Sequence, residues 1–235
     1  MMGFALEPQY QKERAGTAGY SVKTEVAGTL YPVDLNGMGR TLRETSSTLG
    51  ILHEVSREWP EVFELHVKLS VGSELDERNL GWLEEFSKAC GWDLGDVVEE
   101  VGNLNVDPSE RVYRYKSLFE NYYSRALEYK ERGDTRQAGE KLWGAILALI
   151  KLYASLKGVP VIHWSRGKVD SFITDNVEAR YKKLFRDLVD KAHVLHEHFY
   201  EGHLNPKSFN ERWEELLELV GRARSIVFKH LPQLR

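Results

Sequence analysis

The longest regular pattern of apolar positions lies in the second half of the chain. Ala138, Leu142, Ala145, Leu149, Leu152 and Leu156 recur at alternating spacings of three and four. Trp143, Ile146, Ile150 and Tyr153 widen that stripe. A helix apolar over so much of its circumference is buried on several sides, so the pattern predicts the central helix of a bundle. Its start carries two signals. Gly133 suits the left-handed conformation that ends a preceding helix. Asp134 then caps the next helix, with Gln137 in capping-box position.

Three more long helices are predicted around it. Asp107 as cap, Pro108 at the first helical position and Glu110 at the third open a helix that carries Val112, Tyr115, Phe119, Tyr122 and Ala126 up to Arg132. Gly158 and Pro160 end the central helix, and the segment VIHWSRGK (161–168) reads as a loop. The next helix runs from about Asp170 or Asp175 to Tyr200, with Tyr181, Leu184, Leu188, Ala192 and Leu195 inward. Gly202 and Pro206 break it. Ser208 and Glu211 form another capping box, and the last helix turns Phe209, Trp213, Leu216, Val220, Ala223 and Val227 inward. Four long helices with short connections predict an antiparallel bundle over residues 107–235.

The first hundred residues read differently. Residues 1–19 are polar and glycine-bearing, a flexible N-terminus. Residues 20–106 predict a small acidic α+β unit. Its parts are a strand or hairpin over 20–35, weakened by Gly28 and Pro32, and a helix over 41–59 stopped by Pro60. A half-buried strand follows over 61–71, from the alternation of Phe63, Leu65, Val67 and Leu69 with Val62, Glu64, His66 and Lys68. Helices over 76–90 and 94–101 complete the unit. The fold class is mainly α, a helical bundle preceded by a small α+β unit.

Composition narrows the classes. Hydrophobic residues make up 42% and aromatic residues 11% of 235, enough for a sizeable core. No apolar run of about 18 residues exists, so no membrane partner is expected. The first residues lack an apolar signal segment, which points to a cytoplasmic protein. Cys90 is the single cysteine, which excludes an intrachain disulfide and a multi-cysteine metal site. Its helical setting suggests a buried thiol rather than a reactive one. Residues 1–109 hold 9 Lys+Arg against 19 Asp+Glu (−10), and residues 110–235 hold 23 against 17 (+6). The split suggests two units. A basic second unit either faces an anion or docks the acidic first one.

The stretches ALEYKERGDTRQAGEKLWGAILALIKLYA (126–154), AHVLHEHFYEG (192–202) and SFNERWEELLELVGRARSIV (208–227), in this order, resemble the archaeal PaREP family. The helical domain of that family is similar to HEPN domains. The resemblance covers roughly residues 108–231. It implies a HEPN-like bundle, often dimeric, without an established reaction. HEPN relatives include RNases of defence and toxin systems, partners of nucleotidyltransferases and inactive binding modules. The nucleotidyltransferase pattern of Gly-Ser followed by paired Asp residues does not occur in this chain.

RNase-type HEPN proteins carry an Arg and a His separated by four to six residues, and Arg224 and His230 have five between them. On an unbroken helix the two point about 120° apart. His230 also continues the row Val220, Ala223 and Val227, which is expected to be covered. The plainer reading is a solvated Arg and a helix-end His favoured by the dipole. In AHVLHEHFYEG, the residues His193, His196, Glu197 and Tyr200 share one flank of a helix and His198 lies on the other side. His193 and Glu197 stand one turn apart, a spacing that can ligate zinc, with His203 or His163 as further candidates. No motif completes a ligand set, so no metal is assigned. The plainer reading is that His196 and Tyr200 bury their rings and hydrogen-bond across helices.

His163, Trp164, Arg166 and Lys168 join basic and aromatic groups, as a contact to single-stranded nucleic acid does. Arg180, Lys182, Lys183 and Arg186 extend that basic surface. The plainer reading is a loop with one anchoring Trp beside a solvated helix face. Gly37 and Gly39 before a helix suit a phosphate, but a plain turn accounts for them more simply. The function favoured is a non-catalytic binding or regulatory module, a homodimer that contacts nucleic acid or nucleotide and uses no cofactor. The alternatives are a metal-independent endoribonuclease built on Arg224 and His230, and a structural subunit that binds a protein partner.

Overall fold

The structure, a computed structural model, describes residues 21–26, 29–34, 42–161 and 166–232, with side chains placed from residue 50 onward. The chain divides into two compact units. The first is Met1–Glu85 with Asp93–Val106, and the second is Phe86–Trp92 with Asp107–Arg235. The turn expected at residues 36–39, with its Gly37 and Gly39, and the N-terminus 1–19 lie outside the described residues. Among the described residues no helix is long and apolar enough to cross a membrane.

Among the described residues the first unit is mainly helical: the hairpin expected over 20–35 forms, but the further strand of the expected α+β unit does not. Its strands β1 (Ser21–Val26) and β2 (Thr29–Asp34) pair antiparallel, with Val22 opposite Val33. The helices α1 (Leu42–Glu58), α2 (Pro60–Val71), α3 (Glu77–Cys90) and α4 (Leu94–Gly102) follow. The half-buried strand expected over 61–71 is helix α2. Pro60 ends α1 but also occupies the first helical position of α2, where its missing N–H costs nothing. The apolar residues there fit both periods. The structure takes the helical one: Val62, Leu65, His66 and Leu69 are buried, while Val67 and Val71 are 43% and 70% exposed. His66 then meets the Val101 carbonyl of α4 through Nδ1 at 2.9 Å.

The second unit contains α5 (Val112–Glu131), α6 (Thr135–Leu156), α7 (Arg166–Asn176), α8 (Ala179–Glu201) and α9 (Pro206–Phe228). Asp107 caps as expected, but it caps a 3-10 turn, Pro108–Arg111, before the α-helix begins. The Gly133–Asp134 junction forms as the sequence predicts. Gly133 has φ +78°, and the Asp134 carboxylate accepts the Gln137 N–H at 3.0 Å. The α6 residues Ala138 to Ser155 are all buried. This includes Glu140, Lys141 and Lys151, three charges inside an otherwise apolar cylinder.

Contacts along α6 fix the directions of its neighbours. Lys141 lies over the Tyr122 ring and Lys151 over the Tyr115 ring, so α5 runs antiparallel to α6. Thr135 meets His198, whereas Tyr153 stacks on Phe185, so α8 is antiparallel too. His198 packs on Phe209 and Lys191 pairs with Glu215, which makes α9 antiparallel to α8. The third long helix, expected to run from about Asp170 or Asp175 to Tyr200, starts only at Ala179, and residues 166–176 form a separate helix. The break falls at Val177–Glu178, where Glu178 (φ −58°, ψ 139°) leaves helical geometry and becomes the N-cap of α8. The loop expected over 161–168 likewise ends early, because Arg166 already belongs to α7.

The segment Phe86–Trp92 completes this unit. Trp92 is 1% exposed, and its Nε1 donates to the Gly144 carbonyl at 2.8 Å. Its ring stacks on Tyr122, and Lys151 lies over it at 5.6 Å. A fragment that starts at Asp107 therefore lacks a ring that fills the space beside α5 and α6. Trp92→Ala is expected to cost about 3–5 kcal/mol in urea unfolding. A loss below about 1 kcal/mol, the scale of an ordinary surface change, would show that the second unit packs without it.

Candidate functional site

A cluster of titratable and aromatic side chains in the second unit lies between α6, α8 and the end of α3. It begins with a residue that has no side chain. A Cβ on Gly139 would lie 2.6 Å from the Leu195 carbonyl oxygen, so α6 and α8 touch backbone to backbone at that point. The next residues along, Glu140 and His196, therefore face each other at short range. Glu140 Oε2 and His196 Nδ1 are 2.6 Å apart, and the two residues are 5% and 9% exposed. With Glu140 as the carboxylate, Nδ1 carries the proton and donates it, and Nε2 becomes the ring's second nitrogen. A short bond of this kind, withdrawn from water, is among the stronger polar links a bundle can contain.

Aromatic rings close over the pair. Trp143 stacks on His196 with centroids 5.3 Å apart and planes at 25°. His193 meets Trp143 edge-on, and Tyr200 meets His196 edge-on at 5.3 Å. The polar tips of these rings reach the last turn of α3, whose carbonyls lack helical partners. Trp143 Nε1 donates to the Ala89 carbonyl at 2.9 Å, and the Tyr200 hydroxyl donates to the Lys88 carbonyl at 3.1 Å. Packing around the Tyr200 hydroxyl, together with the Glu140 carboxylate, holds the phenol above its ordinary range. Burial pushes the His193 imidazole down, against the smaller upward pull of Glu197, whose Oε1 stands 3.3 Å from His193 Nδ1.

The structure thus joins His193, His196 and Tyr200 and adds two members that the sequence reading passed over as site residues, Glu140 and Trp143. The signal for Glu140 was present in the sequence: a carboxylate between Ala138 and Leu142 on the most apolar helix. His198 lies on the other side, as the helical projection expects. It accepts the Leu204 N–H at Nδ1 and faces Thr135 Oγ1 with Nε2 at 3.3 Å, which fastens the α8–α9 corner. Burial pushes its imidazole below the ordinary range. No group of three or more His, Cys, Asp or Glu among the described residues has the arrangement to hold a metal ion.

Arg224 and His230 go to different neighbours. Arg224 is exposed, with its guanidinium over the Phe228 ring at 4.9 Å and the Phe119 ring at 5.9 Å. His230 is also exposed, against the expectation that its row is covered, because α9 ends at Phe228 and His230 stands in the turn beyond it. Its Nδ1 faces the Ile226 carbonyl at 2.9 Å, and its ring lies 5.5 Å from that of Tyr153. Tyr153 is itself engaged. Its hydroxyl donates to Glu178 at 2.5 Å, and Lys157 Nζ sits 3.0 Å from the same carboxylate. These bonds hold the Glu178 carboxyl down at about 2, and burial raises the Tyr153 phenol.

The basic stretch expected around residues 163–186 is largely neutralised within the bundle. His163 and Trp164 lie outside the described residues. Arg166 is exposed and pairs with Asp190, while Lys168 is half-buried in the first two turns of α7. Lys183 pairs with Asp187 at 2.5 Å and Arg186 with Asp170 at 3.7 Å, and Lys182 donates to the Thr174 carbonyl. Arg180 lies over the Tyr181 ring at 4.6 Å.

Residues 114–220 match the family model described as the archaeal PaREP1/PaREP8 family, a segment that runs from α5 into α9 and includes Glu140, Trp143, His193, His196 and Tyr200. No curated protein and no solved structure matches the chain.

The buried pair makes a distinctive stability prediction. His196→Leu strands the Glu140 carboxylate in an apolar setting and is expected to cost about 3–5 kcal/mol. Adding Glu140→Leu removes the stranded charge, so the double variant should unfold at higher urea than the single one. A double variant no more stable than His196→Leu alone would contradict a paired, desolvated carboxylate.

Proposed function

We propose, for a chain whose residues 114–220 are a PaREP1/PaREP8 segment, that it is a non-catalytic binding or regulatory module of HEPN-like type. It works as a homodimer and contacts nucleic acid or nucleotide through its basic second unit. The observation that supports this reading is that Arg224 and His230 pack on different rings. Arg224 rests on Phe119 and Phe228, and His230 rests on Tyr153. A phosphate held by the first has no imidazole presented to it by the second within these contacts. The Glu140–His196 pair is the other candidate for acid–base chemistry, and its two members are spent on each other beneath Trp143 and Tyr200. The second unit's excess of positive charge supports an anionic partner.

The endoribonuclease reading keeps one observation in its favour, that both Arg224 and His230 are exposed. A second copy would have to bring the complementary residue. The expected outcome is a dimer by light scattering and no RNA cleavage above background without added metal. Cleavage by the wild type that disappears in folded Arg224→Ala and His230→Ala would replace the binding reading with the nuclease. A monomer at high concentration would remove the dimer.

A further inference from the structure

A groove runs between α8 and α9. Arg180, Tyr181 and Leu184 form one wall, and Gly221, Arg222 and Ser225 line the other, with Ile226 and Glu218 also present. Gly221 leaves it open, since a Cβ built there meets nothing within 4 Å. Several other cations on the same two helices are held by carboxylates. Lys183, Arg186 and Lys191 on α8 and Lys207 on α9 each stand within reach of a carboxylate. Arg180 and Arg222 have no carboxylate partner among the described residues, although Glu218 lines the same groove.

We infer that the α8–α9 groove seats the phosphodiester backbone of single-stranded nucleic acid, held by Arg180 and Arg222. Two guanidiniums against one carboxylate leave the groove net positive. Guanidinium forks match phosphate oxygens in planar geometry. Tyr181 places an aromatic ring on the same wall, and rings beside cations suit unstacked bases rather than a closed duplex. The inference rests on the reading that the second unit contacts nucleic acid, and names the surface that does so.

The test is binding of a labelled oligouridylate to the full chain at several salt concentrations, with Arg180→Gln, Arg222→Gln and, as the distant control, Lys207→Gln. All three positions are exposed, so the fold is expected to persist, and circular dichroism checks it. The wild type should bind with an affinity that falls steeply as salt rises. Each groove variant should bind several-fold more weakly, with a salt slope lower by about 1. Lys207→Gln should match the wild type. Undiminished binding in both groove variants would overturn the groove while leaving nucleic-acid binding in place. Tighter binding of a duplex than of the single strand would overturn the ligand class. No binding by the wild type at low salt would overturn both the groove and the reading beneath it.

Discussion

The second unit depends on how closely two backbones approach α6. At Gly139 the chain of α8 comes so near that a methyl group would collide with Leu195. Further along α6, at Gly144, a Cβ would lie 2.9 Å from the Gly91 carbonyl oxygen, and a Cβ on Gly91 would lie 2.8 Å from the Glu140 carbonyl oxygen. Gly91 also takes φ +68°, which a residue with a side chain rarely adopts. Two windows on one helix thus admit α8 and the segment Phe86–Trp92. Without that approach, Glu140 would not reach His196 at 2.6 Å, and neither Trp92 nor Trp143 would reach its carbonyl.

The same closeness explains how α6 tolerates charge. Lys151 Nζ donates to the Val161 carbonyl and lies over the Trp92 and Tyr115 rings. Lys141 lies over Tyr122, and Glu140 is bonded to His196. A buried cation facing an aromatic ring recovers part of its lost hydration, and a buried carboxylate needs its partner more than it adds stability. Polar chemistry inside the bundle therefore goes into fixing which helices meet and where. The groove between α8 and α9 lies outside that network, so its arginines can change partners without disturbing the core.

Much of this was legible in the sequence. The caps at Asp107 and Asp134, the four long apolar rows and the burial of Trp143 follow from spacing and composition, because they are local or periodic signals. The strand expected over 61–71 fails because a short apolar run fits both periods, and the helix won at Pro60. The membership of Phe86–Trp92 in the second unit was invisible, since a glycine facing a glycine leaves no pattern along the chain. Half of the site was legible: His193, His196 and Tyr200 share a helical flank. Glu140 lies 56 residues before His196 in sequence, and only the close approach at Gly139 pairs them. The covered place expected for His230 fails for a simpler reason, that α9 stops two residues before it.

The close approach has a consequence of definite sign, measurable by urea unfolding of Gly139→Ala. In a helix with room for a methyl group this change should stabilise, by up to about 1 kcal/mol, because alanine has the higher helix propensity. Backbone contact between α6 and α8 predicts the opposite, a lower unfolding midpoint as the methyl pushes Leu195 away and lengthens the Glu140–His196 bond. A variant more stable than the wild type would contradict the account.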